Sequence, residues 1–213
     1  KGCTADIAAT VVADPNTAPV ISTCPVTRNI NGCSTASITG PAFSDIEAVS
    51  SYLEFSNAIN KGVASDNCAV TSVTYQDIAS SSCPVVVTRT WILGDASGLT
   101  TTCNQVINVY DNVAPVWMTA AGSLNRTVEC SNGAGLAAAM ALFPVAADAC
   151  DADVSNIVKT SLAYVVSPLC SQRGTYTNTW TVTDDCGNTS AVFTQVISVV
   201  DNTAPTWQTA AGS

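Results

Sequence analysis

The chain contains no histidine, and charged residues make up only 11% of it. Without histidine there is no usual general base for a serine or cysteine triad, and the commonest metal ligand is missing. Basic residues are scarce, 7 Lys and Arg against 16 Asp and Glu, for a net charge of −9. That balance argues against nucleic acid and against an anionic membrane surface as partners. No apolar run reaches the length of a membrane span, so membrane insertion is not expected. No two cysteines have zinc-site spacing, the closest pair being Cys24 and Cys33. A Gly-x-Ser-x-Gly elbow and a phosphate loop are both absent. The acidic pairs Asp184-Asp185 and Asp148 to Asp153 lack the flanking aromatic groove residues of a glycosidase. These gaps predict a protein that is not an enzyme.

What the chain does have is a repeat. Asp111-Asn-Val-Ala-Pro-Val-Trp-Met-Thr-Ala-Ala-Gly-Ser123 recurs as Asp201-Asn-Thr-Ala-Pro-Thr-Trp-Gln-Thr-Ala-Ala-Gly-Ser213, and a weaker copy, Asn16-Thr-Ala-Pro-Val20, lies upstream. A period of about 90 residues with Asn and Pro turn chemistry between alternating apolar runs marks tandem modules. The expected division is 1–19 as the last strand of a preceding module plus linker, 20–115 and 116–205 as two modules, and 206–213 as the start of another. The sequence has no initiator Met and no signal peptide, and reads as an internal excerpt or a mature form of a longer secreted protein.

Period-two patterning predicts an all-β fold, a sandwich with Greek-key-like connections. In the first module, strands are expected over Val20 to Ile30 (broken at Pro25), Thr71 to Tyr75, Val85 to Leu93 and Gln105 to Asp111. In the second, Thr175 to Val182 matches the strand around Trp91, and Gln195 to Asp201 is the last strand. Trp91 and Trp180 are expected as core plugs between two layers. A short helix is predicted in each module. In the first, Ser44-Asp-Ile-Glu47 has a capping-box pattern and Ile46, Val49 and Leu53 follow at helical spacing. In the second it falls in the Ala-rich run Ala134 to Leu142. Gly94-Asp-Ala-Ser-Gly98 and Asp184-Asp-Cys-Gly-Asn188 read as equivalent turns.

Ten cysteines in two modules of this size read as disulfides made in an oxidising, extracytoplasmic compartment. Overlaying the modules places Cys33 on Cys130, Cys68 on Cys150 and Cys83 on Cys170. Cys24 and Cys103 are both missing from the second module, as expected if they bond to each other. The remaining pairs expected are Cys68–Cys83, Cys150–Cys170, Cys130–Cys186 and Cys3–Cys33, with an upstream module as the other claimant on Cys3. The acids of Asp184-Asp185 and Asp148 to Asp153, with Asp111 and Asp201 at the module junctions, could collect hard oxygen ligands for structural calcium, and Asp148, Asp151 and Asp153 are the first candidate turn; the plainer role for such acids is to cap turns. Otherwise no cofactor is expected. Asn125-Arg-Thr127 and Asn188-Thr-Ser190 match the N-glycan acceptor pattern. Trp117 and Trp207 follow the linker prolines at a fixed distance, with Ile21 in the same place in the first module. They are candidates for packing at module junctions, which would hold neighbouring modules of one long chain at a repeated angle.

Cys24-Pro-Val, the Asp66-Asn-Cys68 turn, Thr90-Trp91, Gly94-Asp-Ala-Ser-Gly98 and the Asp-Asn-x-Ala-Pro linkers together resemble hyalin-repeat (HYR) and HYR-like immunoglobulin-type modules. Thr179-Trp-Thr-Val-Thr-Asp-Asp-Cys-Gly-Asn188 is similar to repeats of large surface proteins of Bacteroidota, such as gliding adhesins exported by type IX secretion. The resemblance implies tandem immunoglobulin-like sandwiches in the stalk of a secreted bacterial surface adhesin or filament, and it names no catalytic residue. Two other readings stay open. One is a module binding extracellular polysaccharide or a solid surface through exposed Thr, Asn and Tyr rows. The other is a fibre subunit whose strand over residues 5–14 pairs into a neighbouring chain.

Overall fold

The computed structural model describes residues 16–80 and 83–207. The chain divides into two compact units between Tyr110 and Asp111. The strand expected over residues 5–14, and most of 206–213, lie outside the described residues.

The first unit runs β1 (Val20–Thr23), β2 (Arg28–Asn31), a 3-10 turn (Thr35–Ser37), β3 (Ala48–Val49), α1 (Tyr52–Ser56), β4 (Val63–Ser65), β5 (Ser72–Ala79), β6 (Val85–Gly94) and β7 (Thr100–Tyr110). Five strands form a sheet in the order β2-β7-β6-β5-β3, with β2 parallel to β7. β1 and β4 pair antiparallel as a second, two-stranded layer. The break between β1 and β2 contains Pro25, which has no N–H to give a ladder. β6 is central and alternates strictly: Val87, Arg89, Trp91 and Leu93 are buried. Trp91 lies opposite Tyr75 on one side and Cys103 on the other. Phe55, Val73, Tyr75, Trp91 and Leu93 form the core, and Ile21 of β1 and Ala64 of β4 close over it.

The second unit repeats this plan with β8 (Val116–Trp117), β9 (Arg126–Glu129), α2 (Gly133–Met140), β10 (Ala146–Ala147), β11 (Ile157–Ser161), β12 (Val165–Ser167), β13 (Cys170–Val182) and β14 (Phe193–Val200). Its sheet runs β11-β13-β14-β9, with β12 also on β13 and β9 parallel to β14. β8 and β10 make the small layer. Trp180 takes the place of Trp91, fully buried against Phe143 and Phe193. Both units are therefore all-β sandwiches of immunoglobulin-like topology, each with one short helix. The equivalent turns after β6 and β13 need a left-handed residue and have it in Gly98 (φ 86°) and Gly187 (φ 91°).

The first helix is not where Ser44 and Glu47 place it. Residues 44–47 form an irregular bend leading into β3, because their polar groups serve β5. The Ser44 N–H donates to Asp77 Oδ2 (3.0 Å), Thr74 Oγ1 donates to Glu47 Oε1 (2.7 Å), and Gln76 Nε2 donates to the Asp45 carbonyl (2.9 Å). α1 begins later, where Ser51 Oγ caps the Glu54 N–H (3.1 Å). Ile46, Val49 and Leu53, the supposed apolar face, are exposed. The Ala-rich helix does form as α2, capped by Asn132 Oδ1 on the Gly135 N–H (2.8 Å).

One difference between the cores is a buried polar pair. In the first unit Arg89 and Asp77 form a fully buried bidentate ion pair, with both contacts at 2.8 Å. Arg89 also donates to the carbonyls of Pro41 (3.1 Å) and Ala42 (2.9 Å) and lies over the Tyr75 ring. In the second unit the same strand positions hold Ser161 and Asn178, joined by a neutral bond of 2.7 Å. Asp77→Ala should cost about 3–5 kcal/mol, because it leaves a buried guanidinium without its counter-charge. Ser161→Ala, which removes one neutral bond, should cost about 1 kcal/mol. Urea midpoints of the two variants, read on separate transitions, check this; equal costs would mean the Arg89–Asp77 charge does not matter.

Candidate functional site

Two features stand apart from ordinary sandwich packing: the cysteines, and an acidic corner of the second unit. Cys33, Cys83, Cys150 and Cys186 are disulfide-bonded. Cys24, Cys68, Cys103, Cys130 and Cys170 are thiols. Cys83, Cys150 and Cys186 are thus bonded while Cys68, Cys170 and Cys130 are not, so Cys68–Cys83, Cys150–Cys170 and Cys130–Cys186 do not form here. Cys3–Cys33 rests on a residue outside the described ones. The reason is where the strands end. The turns bearing Cys150 and Cys186 are joined by the Asp185 N–H donating to Asp151 Oδ2 (3.1 Å), which places the two turns side by side. Cys33 follows Gly32, whose N–H donates to the Tyr110 carbonyl (2.9 Å), and Cys83 precedes Val85, which pairs with Val109. Both therefore lie at one end of the sheet, across β7.

Cys24 and Cys103 are neighbours: their side chains share a hydrogen bond, and burial together with Cys24 pushes the Cys103 thiol up to about 12. Cys130 and Cys170 both lie close enough to Tyr164 to influence its hydroxyl. They occupy the positions in the second unit that Cys33 and Cys83 occupy in the first. Ser97 stands where the second unit has Cys186, so Cys68 faces no equivalent partner.

The acidic corner is built from Asx turns. Asp148 Oδ1 accepts the N–H groups of Cys150 (2.8 Å) and Asp151 (3.0 Å). Asp184 Oδ1 accepts those of Cys186 (2.9 Å) and Asn188 (2.7 Å). Asn188 Nδ2 donates both to Asp184 Oδ2 (2.8 Å) and to the Asp111 carbonyl (3.1 Å), tying the turn to the first residue of the unit. Asp111 Oδ1 accepts the Val113 N–H (2.9 Å). A carboxylate oxygen of Asp111, one of Asp148 and Cys150 Sγ lie within 4.8 Å of one another. Asp151 and Asp153 point elsewhere. Asp151 accepts from Asp153 and Asp185, and Asp153 from Ser155. The three do not converge as a calcium turn; Asp148 converges instead with Asp111, the junction acid.

The remaining candidates sit within their own units. Trp91 and Trp180 are fully buried. Trp91 Nε1 donates to Gln105 Oε1 (3.0 Å). Trp117 donates to the Ala191 carbonyl (2.7 Å) and packs 5.5 Å from Phe193, and Ile21 packs on the Trp91 core. Trp207 is 93% exposed. Asn188 Nδ2, the atom a glycan would need, is spent on Asp184 and Asp111. Sequence reading passed over Gln105 and Gln195, both essentially fully buried; their signal was the repeated Gln-Val-Ile at one position in both modules.

A family described as an HYR-like domain with 4 cysteines matches residues 118–199, which contain Cys130, Cys150, Cys170 and Cys186. No curated protein matches the chain. Among solved structures, a protocadherin gamma B4 extracellular domain is similar over 86% of this chain at 12% identity and a TM-score of 0.36. This chain spans 34% of that one. Domains EC1–3 of a mouse clustered protocadherin match over 86% of this chain and 68% of theirs, at 10% identity and 0.30. Fibronectin(III)-like modules of Clostridium thermocellum CbhA match over 91% and 100%, at 9% and 0.27. Scores of this size carry no functional argument. Residues 118–199 are similar to the HYR-like family and form an immunoglobulin-type β-sandwich, and no helix among the described residues is long and apolar enough to cross a membrane.

Peptide mapping of the air-oxidised protein without reduction should recover Cys24 joined to Cys103 and Cys130 joined to Cys170, with Cys68 open to alkylation. A Cys150–Cys170 or Cys130–Cys186 peptide would overturn this wiring.

Asp184 gives a pH signature. Its burial raises the carboxyl, but hydrogen bonds from the Asn188 side chain and from backbone N–H groups outweigh it, so the group lies below its ordinary 3.8. A depressed folded value contributes stability above the unfolded value, and loses it as pH falls through the folded one. Thermal melts should show the second unit weakening below about pH 4, and Asp184→Asn should flatten that slope. An unchanged slope in the variant would remove Asp184 from the acid response.

Proposed function

We propose that this chain is a segment of the shaft of a secreted bacterial surface adhesin or filament, a disulfide-stapled spacer of repeated modules (20–115 and 116–205) whose partners are its neighbours in the same long chain. The observation that carries the reading is the repetition itself. The same five-stranded sheet with a parallel edge strand, small second layer and buried Trp is built twice from different side chains. What is repeated is the scaffold. The match of residues 118–199 to HYR-like domains and the bonded cysteines support an extracytoplasmic place for it. Gln105 and Gln195, buried in the two cores, are spent on joining sheet to loop and helix-end backbone, which supports a structural role.

One observation favours a second reading, a carbohydrate- or surface-binding module. On the β12 edge of the second unit, Tyr164 and Tyr176 lie 4.6 Å apart beside exposed Val165, Val166 and Leu169. The half-buried tyrosine pair with exposed apolar groups beside it on one edge could receive a sugar face. Retention of the oxidised chain on a panel of insoluble polysaccharides and solid surfaces separates the readings. The shaft reading expects no retention that a soluble glycan competes away. Competable retention, lost in Tyr164→Ala, would make the module adhesive.

A further inference from the structure

The acidic corner of the second unit holds two carboxylates whose outward oxygens are buried and unpartnered. Asp111 is only 8% exposed, and its Oδ2 has no hydrogen-bond partner among the described residues; the same holds for Asp148 Oδ2. Their other oxygens are satisfied by backbone N–H groups, which fixes both side chains in place. Buried polar atoms in folded proteins are nearly always paired, and a buried anion without a partner is more costly still. Here two such atoms belong to carboxylates that approach within 4.8 Å, with Asp184 bound behind them through Asn188. The ion pair seen among the described residues, Arg89 with Asp77, is in the other unit. Side by side, two carboxylates repel unless a cation or a shared proton lies between them.

We propose that Asp111 and Asp148 form a cation site, and that its ion is calcium. The donors decide the metal. Cys150 Sγ, the third atom of the group, is locked in a disulfide and offers no thiolate, so zinc and other soft-ligand metals lose their anchor. What remains is hard oxygen. Two oxygens on one calcium, each bound at about 2.3–2.6 Å, lie no more than about 5 Å apart, which the observed spacing satisfies. Two fixed carboxylates leave the rest of the shell to carbonyl oxygens and water. Such a site should bind weakly, with a Kd on the order of 10⁻⁴–10⁻³ M, the range of extracellular modules. The small, strongly hydrated magnesium ion demands near-octahedral ligands and should bind less well. Asp66 repeats Asp148 in the first unit: Oδ1 accepts the Cys68 and Ala69 N–H groups, and Oδ2 is buried without a partner. Residues 1–15 lie outside the described ones. The inference does not depend on the shaft reading, since its assay involves no surface.

The test is calcium titration of the intact oxidised chain by calorimetry, with melting in calcium, magnesium and chelator. Saturable binding and a rise in Tm of about 5–10 °C at tenfold over Kd are expected, with a smaller effect of magnesium. Asp111→Asn and Asp148→Asn should each lose one bound ion per chain and the calcium-dependent rise. In chelator they should melt no lower than the parent, because the amide removes the repulsion. Asp153→Asn should keep the full calcium response. Absence of saturable binding up to 10-fold above the expected Kd range, or an unchanged ion count in both Asn variants, would overturn the proposal. Variants that melt lower than the parent in chelator as well as in calcium would also overturn it, showing the carboxylates to be structural caps.

Discussion

Each module is held together by one buried glutamine. Gln105 on β7 and Gln195 on β14 point from the large sheet into the gap between layers. There they meet irregular backbone rather than a second flat sheet. Gln105 Nε2 donates to the Val26 carbonyl (2.8 Å) and Asn60 Oδ1 (3.0 Å); Gln195 Nε2 donates to the carbonyls of Leu124 (2.7 Å) and Ala139 (3.0 Å). The opposing layer is two short strands, loops and a helix end, so it presents carbonyls that no ladder satisfies. An apolar residue would leave them unpaired at a cost of about 1–3 kcal/mol each. A glutamine supplies two donors at the required reach and fixes the layers in one register.

The rest of the core adapts to that amide. Gln105 Oε1 accepts from the Trp91 indole, whereas Gln195 Oε1 accepts from Asn178 Nδ2 (2.8 Å), leaving Trp180 Nε1 with no partner. The change follows from the neighbouring pair. With Arg89 and Asp77 saturating each other and the loop over residues 41–42, the indole is the nearest donor to the glutamine. With Asn178 in the arginine's place, a nearer donor takes the acceptor. The Lys159 ammonium now covers the Trp180 face at 5.2 Å and reaches the Met140 carbonyl (2.7 Å). Both modules keep the Trp and Gln and differ in how the remaining polar groups are satisfied.

The strands, the Trp positions and the turn glycines were legible because each leaves a local mark: alternation, bulk, and a residue suited to positive φ. α2 was legible for the same reason. α1 was not, since two Ser-x-x-Glu patterns, 44–47 and 51–54, compete, and only the pairing with β5 decides between them. The cysteine pairing failed differently. Overlaying the modules shows which cysteines are equivalent, but equivalence does not say which are bonded. Bonding depends on which strand ends meet across β7 or β14, which is a property of sheet order. The acidic corner was legible in part: the junction acid Asp111 was a candidate, but its pairing with Asp148 rather than with Asp151 and Asp153 was not. Asp151 and Asp153 are near Asp148 in sequence, but Asx turns fold each carboxylate back on its own backbone. Asp111 comes close only because the linker enters the module beside that turn.

The corner and the disulfide are parts of one device. Asp148 holds the Cys150 N–H and Asp184 holds the Cys186 N–H, so the two Asx turns that aim the acids also aim the cysteines. Cys150 and Cys186 are both disulfide-bonded, and the Asp185 N–H to Asp151 Oδ2 bond ties the turns that carry them, so the turns have little freedom to separate and relieve the repulsion at Asp111. The tied turns therefore hold a concentration of negative charge that a free loop would relax by moving apart. It also explains why hard-ion chemistry and cysteine sit together without metal thiolate chemistry: the sulfur is spent on geometry. In the first unit Ser97 replaces Cys186, and Asp66 and Asp95 keep their Asx turns without a covalent clamp between them. The same acids on an unclamped turn can move apart more easily, so the clamp marks the second unit as the more preorganised of the two.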